Sequence, residues 1–168
     1  MKRSLLATSA VAGIGLLATA CGSSSSARGG GYGAGSAPPT GAAAAVTATT
    51  VDLGSSTIGP ILVDSQGRSL YLFEADTAGK STCTCAGCVA EWPPLIAGGT
   101  PQAGTGLAAN QLGTTTRADD QQQVTYSGHP LYHFAGDTTA GVTAGQGLND
   151  NGGLWYVLRT DGTPIDNS

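Results

Sequence analysis

The chain has 168 residues, 27 of them glycine, with 11% charged side chains and a formal net charge of −4. Beyond residue 20 it carries five basic residues against eleven acidic ones, a balance that disfavours nucleic acid and electrostatic attachment to anionic lipid. No nucleic-acid partner is expected, and about 118 residues remain for one ordinary domain with one core.

Lys2 and Arg3 precede a stretch from Leu5 to Ala20 that holds no charge and stops at Cys21. That is the layout of an export signal, too short for a comfortable membrane span. Leu17-Ala18-Thr19-Ala20-Cys21-Gly22 resembles a bacterial lipoprotein signal, whose cysteine becomes acylated, palmitate included, and begins the mature protein. The usual leucine three residues before the cysteine is replaced by Ala18, with Leu17 one position earlier. An ordinary cleaved signal peptide is the other reading. On the lipoprotein reading residues 1–20 are the signal, and Cys21 is the sole attachment of an extracytoplasmic, lipid-anchored chain to the cell membrane.

From Gly22 to about Ala45 the chain is mostly Gly, Ser, Ala and Pro. Such a segment cannot bury enough apolar surface to offset the entropy of ordering it. Residues 21–50 therefore read as a flexible tether, with a span of about 25–30 Å for a Gly/Ser-rich coil.

A β domain is expected over 51–168. Thr57 to Asp64 is apolar and β-branched, and Ser65-Gln66-Gly67 supplies a turn before Ser69 to Glu74, which predicts a hairpin. The segment Cys88 to Trp92 is at most one helical turn, stopped by Pro93. Pro94-Leu95-Ile96 offers a short strand. Leu112 to Arg117, a turn at Asp119-Asp120, Gln122 to Tyr126, a tight Ser127-Gly128 connection and Leu131 to Phe134 predict a three-stranded meander. Asn149 to Gly153 superficially resembles a calcium loop but lacks its spacing and terminal glutamate, so it reads as a turn. Trp155 to Leu158 is the last strand, with a turn at Asp161-Gly162. The expected class is all-β: a small antiparallel sandwich or barrel built from two copies of a hairpin or meander repeat.

The duplication is explicit in one phrase. Gly67-Arg68-Ser69-Leu70-Tyr71-Leu72-Phe73-Glu74-Ala75-Asp76 and Gly128-His129-Pro130-Leu131-Tyr132-His133-Phe134-Ala135-Gly136-Asp137 share G-x-x-L-Y-x-F-x-x-D, with the tyrosines 61 residues apart. Each copy leads to a tryptophan, Trp92 or Trp155, defining repeats of about 57–96 and 112–160. Side chains alternate faces along a strand. Tyr71 and Phe73 then share one face and Leu70 and Leu72 the other, repeated by Tyr132 with Phe134 and Leu131 with His133. The tyrosines read as core aromatics with bonded hydroxyls, and Asp76 and Asp137 as acceptors for backbone N–H groups in the turns that follow.

The paired Leu-Tyr-x-Phe-x-x-Asp, the Trp92-Pro93-Pro94-Leu95 that closes the first copy and the Gly152-Gly153-Leu154-Trp155-Tyr156-Val157 that closes the second resemble the bacterial secreted-repeat lipoproteins. That family is defined by a Y-x-[FWY]-x-x-D motif. The resemblance implies an extracytoplasmic, lipid-anchored β protein and carries no activity with it.

Cys83-Thr84-Cys85-Ala86-Gly87-Cys88 is where the two copies differ. Outside the cytoplasm close cysteines are usually oxidised, and Cys83–Cys88 is the preferred pair because Cys83–Cys85 would strain the disulfide. Three thiolates at Cys83, Cys85 and Cys88 could alternatively converge on copper or zinc, and Cys85-x-x-Cys88 has oxidoreductase spacing. His129 and His133, four apart on a strand, would stand roughly 13 Å apart and cannot share an ion without a turn between them. Members resembling this chain carry two cysteines before the W-P-P, so the third is a departure.

No complete catalytic set is present, and no cofactor is expected on the first of two readings. That reading is a non-catalytic cell-envelope module that binds an envelope protein or small ligand. The alternative is an extracytoplasmic thiol redox or metal-handling protein using the cysteine cluster.

Overall fold

The computed structural model describes residues 48–166. The expected signal, Cys21 and nearly all of the tether lie outside the described residues. Among the described residues nine strands run in chain order: β1 Thr50–Ser56, β2 Gly59–Asp64, β3 Tyr71–Phe73, β4 Gln102–Ala103, β5 Leu112–Thr116, β6 Gln122–Tyr126, β7 His129–Pro130, β8 Asn149–Asp150 and β9 Gly153–Val157. The one α-helix among the described residues, α1, spans Ala86–Glu91 and is capped by Trp92, beside Pro93. No helix of the described residues is long and apolar enough to cross a membrane.

The strands form three small sheets, ordered β2-β1-β4, β3-β9-β8 and β5-β6-β7. All pairs are antiparallel except β1 with β4. A barrel needs one continuous staggered ladder. Here the sheets meet through isolated bridges such as Tyr71 with Tyr132 and Ile96 with Gln123, so the all-β fold is not a closed barrel.

The expected meander is present as β5-β6-β7, but its third strand lies at His129–Pro130, directly after the turn, and of the expected Leu131 to Phe134 only Tyr132 pairs, through isolated bridges to Tyr71 and Pro94. The meander's Ser127-Gly128 connection and the Asn151-Gly152 connection between β8 and β9 are two-residue turns with positive φ throughout, at 50° and 84°, and 54° and 93°. Those are type I′ conformations, in which the turn's own twist matches that of the flanking strands. Pro94 and Ile96 bridge to Tyr132 and Gln123, extending the same layer.

The first repeat begins differently from the sequence expectation. The strand expected from Thr57 starts at Gly59, because Thr57 and Ile58 form the turn that returns from β1, which the composition of Thr50–Ser56 had not marked as a strand. Gly54 shows why that segment is unobtrusive: a Cβ there would lie 2.5 Å from a Val63 methyl, so the strand packs by lacking a side chain. After β2 the chain reverses through Ser65–Gly67, with the Gly67 N–H donating to the Asp64 carbonyl at 2.9 Å and the Leu70 N–H to that of Leu62 at 3.0 Å.

Strand alternation then sorts the apolar side chains into two clusters. Ile61, Val63, Tyr71, Phe73, Tyr132 and Trp155 belong to one, with Cys83, Cys88 and Trp92. Val51, Leu62, Leu70, Leu72, Leu131 and Tyr156 belong to the other, with Val124 and Tyr126. Strands with both faces buried lie in the middle of a fold, and the repeated Leu-Tyr-x-Phe phrase supplies both faces at once.

Candidate functional site

The repeated phrase converges on a single point in the molecule. Tyr71 and Tyr132 face each other across an antiparallel bridge: the Tyr71 N–H donates to the Tyr132 carbonyl at 2.9 Å, and the Tyr132 N–H to that of Tyr71 at 3.0 Å. From there the side chains cross. The Tyr71 hydroxyl donates to Asp137 Oδ2 at 2.6 Å, and the Tyr132 hydroxyl donates to Asp76 Oδ2 at 2.8 Å. Each aspartate thus receives the tyrosine of the other repeat.

The remaining carboxylate oxygens act locally. Asp76 Oδ1 accepts the N–H and the hydroxyl of Thr82, and Asp137 Oδ1 accepts the Ala144 N–H. The turn-closing role expected of both aspartates is therefore one half of what they do. The half missed is the link between repeats, for which the only sequence signal was the identity of the two phrases. Burial pushes both carboxyls above the ordinary carboxylate range, against the pull of the bonds they accept. Burial also raises both phenols well above their usual value, so each stays protonated as a donor.

The aromatic side chains repeat the exchange. Phe73 of the first repeat stacks on Trp155 of the second at 4.1 Å, Trp155 on Trp92 at 3.9 Å, and Phe134 of the second repeat lies on Trp92 of the first at 4.5 Å. Tyr71 meets Trp92 edge-on and Tyr132 meets Trp155 the same way. Both indole N–H groups end on Asp150, Trp92 on its carboxylate at 3.0 Å and Trp155 on its carbonyl at 3.1 Å. The pairing requires close backbone approach, since a Cβ on Gly145 would stand 2.7 Å from the Trp92 ring. Its N–H also lies 3.3 Å from the Tyr71 hydroxyl, as a donor to it.

Tyr71→Phe is expected to lower stability by about 1–3 kcal/mol, because it leaves a buried carboxylate without one of its two donors. Urea unfolding of the variant checks this: an unchanged midpoint would mean that the Tyr71–Asp137 bond contributes nothing net.

Arg117, which the sequence reading used only as the end of a strand, is central to the first repeat's loop. Its side chain is 2% exposed and lies 3.5 Å from Asp119 through Nε. Its Nη1 donates to Ser81 Oγ at 2.6 Å and to Gln123 Oε1 at 2.7 Å, and its Nη2 to the Cys83 carbonyl at 3.0 Å. Ser81 is also 2.7 Å from the Tyr132 hydroxyl. A phenol has one proton, and that proton is directed at Asp76, so Ser81 is the donor in this bond. Arg117, Ser81, Tyr132 and Asp76 thus form one continuous relay of donors and acceptors.

His129 lies in β7 opposite Tyr126, and His133 is packed near Asp64, with Nε2 3.8 Å from Oδ2. Burial, and then the neighbouring Arg68, lower the His133 pKa. Asp64 is lowered despite its own burial, because Arg68 hydrogen-bonds it from backbone and side chain and Gln66 from its backbone N–H. The two histidines are not brought to the cysteines.

Cys83 and Cys88 form a disulfide with Cα atoms 5.6 Å apart, and both are buried. Cys85 remains a free, exposed thiol. It caps α1, its sulfur accepting the Cys88 N–H at 3.4 Å. With two sulfurs joined to each other, a three-thiolate copper or zinc site is not available in this oxidised form. Among the described residues no group of three or more His, Cys, Asp or Glu is placed to hold a metal ion.

The surface carries clefts beside the cysteines and, away from this centre, beside β5. One of about 320 Å³ is bordered by Phe73, Thr82, Asn151 and the three cysteines. The other, about 440 Å³, lies against β5 and carries only uncharged side chains, among them Ala97, Thr100, Pro101, Leu112, Thr114 and Gln122.

Fold and site define a duplicated β protein whose two copies interlock through one shared aromatic and Tyr–Asp centre. The chain belongs to the family described as a secreted repeat of unknown function, whose model matches residues 53–96 and 113–159, one span for each repeat. That membership points to an extracytoplasmic location. No curated protein and no solved structure matches the chain.

Proposed function

We propose that this chain is a non-catalytic, lipid-anchored module of the cell envelope. In this reading residues 1–20 direct export, Cys21 carries the lipid, and residues 21–50 tether the domain. The observation that carries the non-catalytic part is the use to which the motif is put. Tyr71, Tyr132, Asp76, Asp137, Trp92 and Trp155 spend their hydrogen bonds and ring faces on one another and on the loops they close. The signature of the repeat is then a fastening between two halves, and ligand contact falls to the surface around it. The uncharged cleft beside β5 is the site we assign to a small ligand or envelope partner, being roomy and apolar enough for one.

The anchor is tested by expressing the full chain in a bacterial host fed radiolabelled palmitate. The natural chain is expected to take up label and to sediment with membranes, and Cys21→Ala to do neither. Label retained by Cys21→Ala, or a natural chain recovered unlabelled in the soluble fraction, would overturn the anchor. A turnover that survives substitution of all the cysteines would overturn the non-catalytic part.

A further inference from the structure

Three sulfurs border one cleft, and two of them are already bonded to each other. We propose that Cys85 exchanges with the Cys83–Cys88 disulfide, so that the free thiol of this cluster moves between an exposed position at Cys85 and a buried one at Cys83. This goes beyond the envelope role proposed above and does not depend on the lipid.

Cys85 does not stand alone. Its sulfur lies 3.4 Å from the Cys88 backbone nitrogen, against the residue whose sulfur is the target. Residues three apart across a helical turn have Cβ atoms about 5–6 Å apart. A disulfide needs about 3.5–4.5 Å, so joining Cys85 to Cys88 takes a small closure at the start of α1.

The choice of target follows from the same geometry. Attack on Cys83 would produce a Cys83–Cys85 bond with a single residue between, which strains the disulfide. Attack on Cys88 produces Cys85–Cys88, with two residues between.

The step balances without any outside reagent. The Cys85 thiol gives its proton to water, and the thiolate electron pair forms the new bond to Cys88 Sγ. The Cys83–Cys88 bond breaks, and Cys83 leaves with that pair and takes a proton from water. Among Cys83, Cys85 and Cys88 one disulfide and one thiol are present before and after, so nothing is oxidised or reduced overall.

What distinguishes the two isomers is where the thiol ends. Cys85 is exposed, whereas Cys83 is 2% exposed. Arg117 holds the Cys83 carbonyl and Asp76 holds Thr82 beside it. Those bonds do not involve the disulfide, so they keep Cys83 in its buried place after the bond moves. The exchange therefore converts a thiol open to oxidants into a protected one.

The test uses the oxidised full-length protein carrying Cys21→Ala, which leaves Cys85 as its one unpaired cysteine, incubated at pH 8 under argon without added thiol. Samples are quenched in acid, the free cysteine is blocked with N-ethylmaleimide, and after reduction and a second alkylation the blocked position is read by fragment mass spectrometry. Label is expected to move from Cys85 partly onto Cys83, and Cys85→Ser is expected to lose all labelling at Cys83. A second variant, Cys83→Ser, treated with oxidised glutathione, is expected to close Cys85–Cys88 within the chain. Label confined to Cys85 at every time would overturn the proposal. So would glutathione carried by both Cys85 and Cys88 of Cys83→Ser in place of the internal bond.

Discussion

Trp155→Ala is expected to lower the stability of the domain by about 3–5 kcal/mol, the range for deleting a fully buried large aromatic. Trp155 is completely buried, with Phe73 stacked at 4.1 Å on one face, Trp92 at 3.9 Å on the other, and the edge of Tyr132 at 5.1 Å. The rings on either side come from β3 and from the segment after α1, both held by backbone bonds that prevent collapse into the space left behind. The indole N–H also fastens the Asp150 carbonyl, so the turn between β8 and β9 loosens with the core. Domains of this size have about 5–15 kcal/mol in total, which would leave the variant near the margin. Urea unfolding provides the measurement, with Leu53→Ala as the comparison because Leu53 is 42% exposed and should shift stability by no more than about 0.5 kcal/mol. Equal costs for the two variants would mean that the tryptophan stack is not the core of the fold.

Arg117→Ala is expected to cost about 3 kcal/mol or more, in the range for removing one member of a buried charged network. Three acceptors lose their donor together: Ser81 Oγ, Gln123 Oε1 and the Cys83 carbonyl. Gln123 is fully buried and cannot turn to water, since its amide is already committed to the Leu131 carbonyl at 2.8 Å. Asp76 also loses the positive charge that helps offset its burial. Arg117→Lys should recover only part of the loss, because an ammonium cannot present the planar fork that reaches Gln123 and Cys83 at once. Denaturant midpoints give the size of the effect, and amide hydrogen exchange gives its location. Faster exchange at Thr82, whose N–H is bonded to Asp76, should appear in Arg117→Ala and be absent from Leu53→Ala. Unchanged exchange at Thr82 would separate Arg117 from the loop that it contacts.

Much of the layout was legible because it is carried by short-range pattern. The alternation of Tyr71 and Phe73 with Leu70 and Leu72 assigns each side chain to a face, and the two clusters keep that assignment. Ser127-Gly128 could be read as a turn because few dipeptides accept positive φ twice in succession. The preference for Cys83–Cys88 follows from spacing, since the residues between them let the loop fold back whereas Cys83–Cys85 would be strained. β1 was not legible, since only Val51 in it is fully buried and Gly54 contributes by what it leaves out. Arg117 and the crossing of Tyr71 to Asp137 were not legible either. Both depend on how one repeat sits against the other, a relation between residues 34 to 66 positions apart that no local periodicity encodes.

The crossing has a bearing on how such a chain can vary. Because Tyr71 answers to Asp137 and Tyr132 to Asp76, neither copy of the phrase is a spare for the other. A substitution in one copy is felt first in its twin, and a compensating change must arise there rather than nearby. The loops that follow differ between the copies, the first carrying three cysteines and the second glycines, while the phrase itself reads alike in both.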